Sequence, residues 1–176
     1  QSEGHYIDDE QDGLWSYFSK DGSVAEEITF SGGKRDGRST VWLTPEEKQE
    51  EKFYKNGKLD GPSTFWENGY RSTMTSYKSD SPEGPWVIWF SSSDQIKEQG
   101  FHQKGIREGL TTYYYEDGTM QREGFFKEGL PDGQWTYWNN AKRIQRTLQY
   151  STYQKRHYDV SVLYSAIAGG TYHVKR

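Results

Sequence analysis

An acidic residue followed directly by glycine recurs at near-constant spacing at six places along this chain of 176 residues, and this repeat restricts the possible folds more than any other feature. The pairs are Asp12-Gly13, Asp36-Gly37, Asp60-Gly61, Glu83-Gly84, Glu108-Gly109 and Asp132-Gly133. Successive glycines are 24, 24, 23, 25 and 24 residues apart. A fixed period of this length indicates a repeat architecture, in which each unit packs on its neighbours instead of around one central core.

Aromatic residues follow the same period. Five residues after each glycine stand Phe18, Trp42, Trp66, Trp89, Tyr114 and Trp138. Four residues after it stand Tyr17, Val41, Phe65, Ile88, Tyr113 and Tyr137, and seven before it stand Tyr6, Phe30, Tyr54, Tyr77, His102 and Phe126. A further glycine precedes most pairs by four residues, at Gly33, Gly57, Gly105 and Gly129, whereas residues 79–82 lack it.

Each unit is predicted to be a β-hairpin. Aromatic and β-branched residues favour a first strand over 15–18, 39–42, 63–66, 86–90, 111–115 and 135–138. Second strands are predicted near 24–30, 50–54, 71–77, 96–102, 120–126 and 144–150, after turns such as Asp21-Gly22, Asn68-Gly69 and Asp117-Gly118. Residues 46–52 are the best helical candidate, but their charges favour a hairpin tip. We predict an all-β fold: an elongated, single-layer antiparallel meander of stacked hairpin repeats, with about 14 strands.

The composition supports a thin fold of this kind. Hydrophobic residues make up only 31% of the chain, but aromatic residues reach 16%. Disordered chains are poor in aromatic residues, and a large globular core needs more apolar residues than this chain has. Large rings that pack between neighbouring strands reconcile the two values, because they give the most contact per residue.

The acidic column is interpreted as turn chemistry. A carboxylate before a turn glycine can accept a backbone N–H, and glycine suits a chain reversal because it has no Cβ. Calcium loops gather several oxygen ligands within one short segment, whereas each of these turns offers a single acid. We therefore expect neither metal ligands nor catalytic carboxylates in this column.

The repeat divides the chain into two parts. Residues 1–150 carry six hairpin repeats after an N-terminal partial unit over 4–7, and residues 151–176 depart from the pattern and are predicted to form a non-repeat β cap. From residue 142 to the end there are seven basic residues and one acid, although the whole chain has a net charge of −4. Such a basic end is either a solvated strand face or a contact surface, and Lys155 and Arg156 are its candidate contact residues.

Four segments illustrate the pattern: FSGGKRDGRSTVW (30–42), YKNGKLDGPSTFW (54–66), HQKGIREGLTTYY (102–114) and FKEGLPDGQWTYW (126–138). In these segments the chain resembles the bacterial variant of the MORN repeat, and more narrowly the YwqK-type antitoxin family. The resemblance covers about residues 4–150. It implies a MORN-like hairpin solenoid that binds or scaffolds other proteins, and it implies no catalytic residue. His102, residues 79–82 and the tail depart from the family pattern.

Enzymatic chemistry is not expected. The four histidines form no H-x-x-x-H pair, there is no cysteine, and no G-x-S-x-G or phosphate-binding glycine motif occurs. The adjacent acids Glu26-Glu27 and Glu50-Glu51 would point to opposite faces of a strand, which prevents shared acid–base work. We predict no catalytic residue, no metal and no cofactor.

Binding is the function class that remains. Trp15, Trp86 and Trp135, two residues after their glycines, are predicted to share a strand face with Tyr17, Tyr113 and Tyr137. These six rings are the candidate partner site, and mutual packing of the rings is the alternative. The first hypothesis is a protein-interaction or scaffolding module, of antitoxin or immunity type or part of a cell-envelope complex. The second is a carbohydrate or cell-surface ligand module in which the rings stack on a polymer.

The remaining expectations concern other partners and the compartment. The negative net charge disfavours nucleic acid. Contact of the basic tail with anionic lipid and self-association through a free sheet edge both remain open. The chain begins at Gln1 instead of Met, which favours a periplasmic or extracellular location without excluding the cytoplasm.

Overall fold

The structure, a computed structural model, describes residues 1–151. Within this range the chain forms β-strands and turns and no helix, so it contains no helix that could span a membrane. The strands are β1 (Ser2–Ile7), β2 (Glu10–Phe18), β3 (Val24–Ser31), β4 (Lys34–Thr44), β5 (Glu47–Lys55), β6 (Lys58–Glu67), β7 (Tyr70–Lys78), β8 (Ser81–Trp89), β9 (Ile96–Gln103), β10 (Ile106–Tyr114), β11 (Met120–Lys127), β12 (Leu130–Trp138) and β13 (Ile144–Tyr150).

The strands form one open sheet whose spatial order follows the chain from β1 to β13. Each strand pairs antiparallel with the next, from β1–β2 to β12–β13. The predicted all-β, single-layer meander is therefore confirmed. The second strand of each hairpin lies within a few residues of its predicted range, and residues 46–52 belong largely to β5 instead of a hairpin tip.

The first strand of each hairpin starts earlier than the sequence predicts. β4 begins at Lys34 instead of residue 39, and β12 begins at Leu130 instead of residue 135. The acid–glycine pair therefore lies inside the strand, and the pairing with the preceding strand shifts register at each glycine. All six glycines have φ between +67° and +130°, as a bulge residue requires. The prediction that these glycines reverse the chain is wrong: they bend the strand.

The chain reverses between hairpins at two-residue turns. These turns lie along one edge of the sheet, the edge formed by the strand ends. They lie at residues 8–9, 32–33, 56–57, 79–80, 104–105 and 128–129, and both residues of each turn have positive φ. This is the type I′ geometry that fits the twist of a hairpin. Ser79 and Asp80 adopt it without glycine, at φ of 47° and 69°, so the segment over residues 79–82 keeps the common backbone.

The turns on this edge are bonded to one another in series. The Gly57 amide donates to the Arg35 carbonyl of the preceding hairpin at 2.7 Å, and the Asn56 amide donates to the Asp36 carboxylate at 3.0 Å. The same pair of bonds recurs at the turn over residues 104–105, where the Glu83 carboxylate accepts the Lys104 amide at 2.7 Å. The acidic column thus accepts backbone N–H groups as predicted, but from the turn of the next repeat, about 20 residues away.

The two faces of the sheet carry different side chains. We call the side with Trp15, Trp86 and Trp135 the Trp face, and the other side the opposite face. A central row crosses the Trp face, with one residue from each strand from β2 to β13. Its members, in register, are Trp15, Ile28, Ser39, Lys52, Ser63, Thr75, Trp86, Gly100, Thr111, Gly124, Trp135 and Leu148.

The predicted C-terminal cap and its contact residues Lys155 and Arg156 lie outside the described residues, where any further predicted strand would also lie. The division into a repeat region and a cap stays a prediction.

Candidate functional site

The six aromatic residues proposed as a partner site lie on the Trp face, but they do not form one exposed row. Trp15, Trp86 and Trp135 are 5%, 3% and 3% exposed, so their rings belong to the core. The tyrosines beside them are half-buried. Trp15 and Tyr17 lie at one end of the sheet, and Trp86, Tyr113, Trp135 and Tyr137 lie in its C-terminal half. A binding role for these rings stays a prediction.

Trp135 lies flat over a glycine of the preceding strand. A β-carbon built on Gly124 would come within 2.2 Å of the Trp135 ring, so any larger residue would displace it. The indole Nε1 donates to the Phe125 carbonyl at 3.2 Å, and the Phe126 and Tyr150 rings meet the indole edge-on at 5.3 and 5.9 Å. Trp15 repeats this arrangement over Gly4, with a bond of 3.1 Å to the His5 carbonyl. Glycine here makes room for a ring and does not serve a turn.

Trp86 is oriented differently. It lies over Gly100 on the following strand, where the Thr111 hydroxyl also approaches the glycine. The Trp86 Nε1 and the Thr111 Oγ1 are both buried and make no hydrogen bond within residues 1–151. Two other buried side-chain atoms share this property in the described residues, His102 Nδ1 and Arg122 Nε. All four atoms belong to neighbouring strands from β8 to β11, so unsatisfied polar groups are concentrated in one region of the sheet.

Arg107 connects the residues of this region. Its guanidinium lies 4.4 Å from the centroid of the Trp86 ring, and it contacts Glu98 at 3.8 Å and the Tyr113 hydroxyl at 3.4 Å. Burial, and secondarily the Arg107 charge, lowers the pKa of His102, which holds this imidazole neutral. Burial raises the pKa of Tyr113, which keeps its hydroxyl protonated. The ion pair of Arg107 with Glu98 fixes this cation over the buried rings.

A ladder of alternating tyrosine and arginine continues from this cluster to the last strand. Tyr113, Arg122, Tyr137 and Arg146 are paired in register across β10 to β13. The Arg122 guanidinium lies 3.9 Å from the Tyr113 ring centroid, and that of Arg146 lies 4.5 Å from Tyr137. Beside the ladder, a shallow cavity of about 370 Å³ is lined by Lys97, Glu98, Arg107, Tyr113, Gln121 and Arg122, among others. This cationic and aromatic surface is the most distinctive polar feature of the Trp face.

The opposite face carries an exposed apolar strip that was not predicted from the sequence. Phe101, Leu110 and Phe125 are 44%, 45% and 54% exposed. Pro85 pairs with Phe101 and Leu110 pairs with Phe125, while Pro85, Phe101 and Leu110 line one shallow cavity of about 360 Å³. The adjacent rings Phe125 and Phe126 could have revealed it, because consecutive strand residues face opposite sides and only one can follow the buried column. We call these four residues the apolar strip.

In the described part of the chain, no three His, Asp or Glu side chains lie close enough together to hold a metal ion. The surfaces that the fold creates there are the cationic cavity and the apolar strip.

Two segments match a family of known repeats. The family model described as the MORN repeat variant matches residues 11–31 and 107–128. Both segments contain a hairpin loop of the same construction, in which Asp21 accepts the Ser23 amide at 3.0 Å and Asp117 accepts the Thr119 amide at 2.8 Å. MORN repeats generally contact proteins or membranes. A search of curated proteins finds no match to the chain.

Proposed function

We propose that this chain is a non-catalytic module that binds another protein through the opposite face of its sheet. The apolar strip is the observation that carries the proposal. Four apolar side chains lie side by side across β8 to β11. Three of them, Phe101, Leu110 and Phe125, are each about half exposed. Contiguous apolar surface of this kind loses contact with water when a partner covers it, and aromatic residues are enriched at such interfaces.

The architecture supports a binding role in a second way. A sheet of one layer leaves both faces accessible, and the row of bonded turns holds neighbouring hairpins at fixed spacing. A partner therefore meets a preformed surface, which reduces the entropy cost of association. The six aromatic residues of the Trp face contribute indirectly under this proposal, because they hold the strands that carry the strip.

Capture of partners with a double variant tests the proposal. Phe101→Ser with Phe125→Ser removes the two exposed rings, while Leu43→Ser with Ile144→Ser removes two other exposed apolar side chains, 63% and 64% accessible. Affinity capture from cells of the source organism, read by mass spectrometry, should give proteins that the first variant loses and the control retains. Thermal unfolding of both variants checks that the sheet is intact. Equal capture by the native chain and both variants would contradict the proposal.

The antitoxin or immunity role is a narrower form of the same proposal. It rests on the resemblance to the YwqK-type family and predicts that the captured partner is a toxin whose activity the chain suppresses. Co-expression of that partner with the native chain should restore growth, and co-expression with the Phe101→Ser, Phe125→Ser variant should not. The carbohydrate alternative needs exposed rings at repeat spacing, and it gains no support from three tryptophans that are at most 5% exposed.

A further inference from the structure

We infer that the cationic cavity on the Trp face binds the carboxylate of an acidic side chain, Glu or Asp, on a protein partner. The inference rests on the proposed function and assigns a second contact, on the other side of the sheet. The cavity lies beside β8 to β11, the same strands that carry the apolar strip. One partner segment that passes around these strands, or two partners, can therefore use both surfaces.

The charges of the cavity point to an anion. Lys97, Arg107 and Arg122 line it together with a single acid, Glu98. Glu98 is already paired with Arg107 at 3.8 Å. Lys97 and Arg122 form no ion pair within the described residues and instead lie near the rings of Phe90 and Tyr113, at 6.0 and 3.9 Å. Two cations thus remain available to a ligand.

Arg122 is the group best placed to hold a carboxylate. Its guanidinium stacks on Tyr113, which fixes the plane of the cation and leaves the N–H groups at its edge directed away from the ring. Its Nε is buried and makes no hydrogen bond within residues 1–151. A buried charged donor without an acceptor is costly, and the planar fork of arginine matches the two oxygens of a carboxylate.

The walls of the cavity favour a side-chain carboxylate over inorganic phosphate. Phe90, Tyr113 and Tyr114 supply aromatic surface against which the methylene groups of Glu or Asp can pack. Glu98 in the same cavity repels a dianion more strongly than a single negative charge. The expected ligand is therefore an acidic peptide segment.

Binding of a fluorescein-labelled polyglutamate peptide to the full chain, followed by fluorescence anisotropy, tests this inference. Arg122→Gln should weaken binding about tenfold or more, since a charge-assisted pair of hydrogen bonds is lost. Arg122→Lys keeps the charge but loses the planar fork of donors, so its affinity should lie between that of the native chain and that of Arg122→Gln. Arg38→Gln is the matched control: it removes the same charge from an exposed residue that pairs with Phe53 on the opposite face, and it should change binding by less than about twofold.

Several outcomes would overturn the inference. Equal losses for Arg122→Gln and Arg38→Gln would show unspecific attraction, and absence of binding to the native chain would exclude an acidic peptide. Competition by inorganic phosphate but not by glutarate would reassign the cavity to phosphate. The proposed function fails separately, because the Phe101→Ser, Phe125→Ser variant keeps the cavity. If partner capture depends on the two phenylalanines while Arg122→Gln does not weaken peptide binding, only the cavity assignment is wrong.

Discussion

The central row of the Trp face is built in two different ways within one sheet. At Trp15 and Trp135 a large ring lies over a glycine of the neighbouring strand, and other rings enclose it. Across β4 to β7 the same row contains Ser39, Lys52, Ser63 and Thr75 and no ring. Both constructions contain buried residues: Ser39 and Ser63 are 4% and 3% exposed, as little as the tryptophans, while Lys52 and Thr75 are half-buried.

The difference shows that equivalent positions of the row can be filled by different combinations of neighbouring residues. A ring is matched by glycine, whereas Ser39 and Ser63 lie on either side of Lys52 and its stem. The ammonium of Lys52 is paired with Glu50 at 2.7 Å and lies 5.2 Å from the Phe65 ring. The stem of a lysine can cover apolar surface while its charge stays near water. Apolar burial therefore stabilises the ends of the row, and the middle depends on small side chains and an ion pair.

Removal of a ring should expose the largest difference between the two constructions. Trp135→Ala is expected to lower the free energy of unfolding by about 3–5 kcal/mol, because a buried indole is lost and a cavity remains. Lys52→Ala, at the same row in the middle, should cost about 1 kcal/mol or less, since its ion pair is partly exposed. Urea denaturation followed by tryptophan fluorescence and circular dichroism measures both. Similar costs would break the comparison.

Crowding the glycine should give the next largest effect. Gly124→Ala places a β-carbon in the Trp135 ring and is expected to cost about 1–3 kcal/mol. In the Trp135→Ser background the same change should cost much less, because the ring that it meets is gone. Gly4→Ala offers a second test of the contact, and its cost should be smaller because β1 is an edge strand that frays more easily. Additive effects of Gly124→Ala and Trp135→Ser would contradict the packing account.

Construction of a ring–glycine pair in the middle of the row should have a smaller net effect. Ser63→Trp alone overpacks the row against Lys52, which is its partner on β5. Lys52→Gly supplies the missing space, so the double variant should be more stable than the sum of the two single changes by about 1 kcal/mol. The double-mutant cycle is measured by urea denaturation. A coupling energy near zero would show that the two constructions are not interchangeable on this backbone.

The smallest expected effect concerns pH and the column of rings seven residues before each glycine. His102 stands in this column, where the next repeat has Phe126, and the centroids of the His102 and Trp86 rings are 5.7 Å apart. Burial lowers its pKa in the folded chain below the ordinary 6.5, so just below that pH the unfolded chain binds more protons. Stability should rise with pH through this window, and His102→Phe should remove that part of the slope. An unchanged slope of the thermal midpoint between about pH 5 and 7 would contradict this account.

The sequence by itself determined the repeat unit and the order of the sheet. Hairpins of near-constant length leave a meander as the simplest arrangement, and turn pairs such as Asn68-Gly69 marked where a first strand ends and a second strand begins. The acidic column could be recognised as an acceptor of backbone N–H groups, because a single carboxylate per repeat has few other uses.

Tertiary structure alone decided where each glycine acts and which rings are exposed. The sequence does not distinguish a glycine in a bulge from a glycine in a type I′ turn or one beneath an indole. Only the neighbouring strand distinguishes Gly133, Gly129 and Gly124, which occupy these three settings. The tryptophans became core residues because glycine lies across from them, and the phenylalanines of the apolar strip became exposed because alternation along the strand turns them to the other side. Both facts depend on residues that strand pairing brings together, within one hairpin for Trp86 and Gly100 and between two hairpins for Trp135 and Gly124.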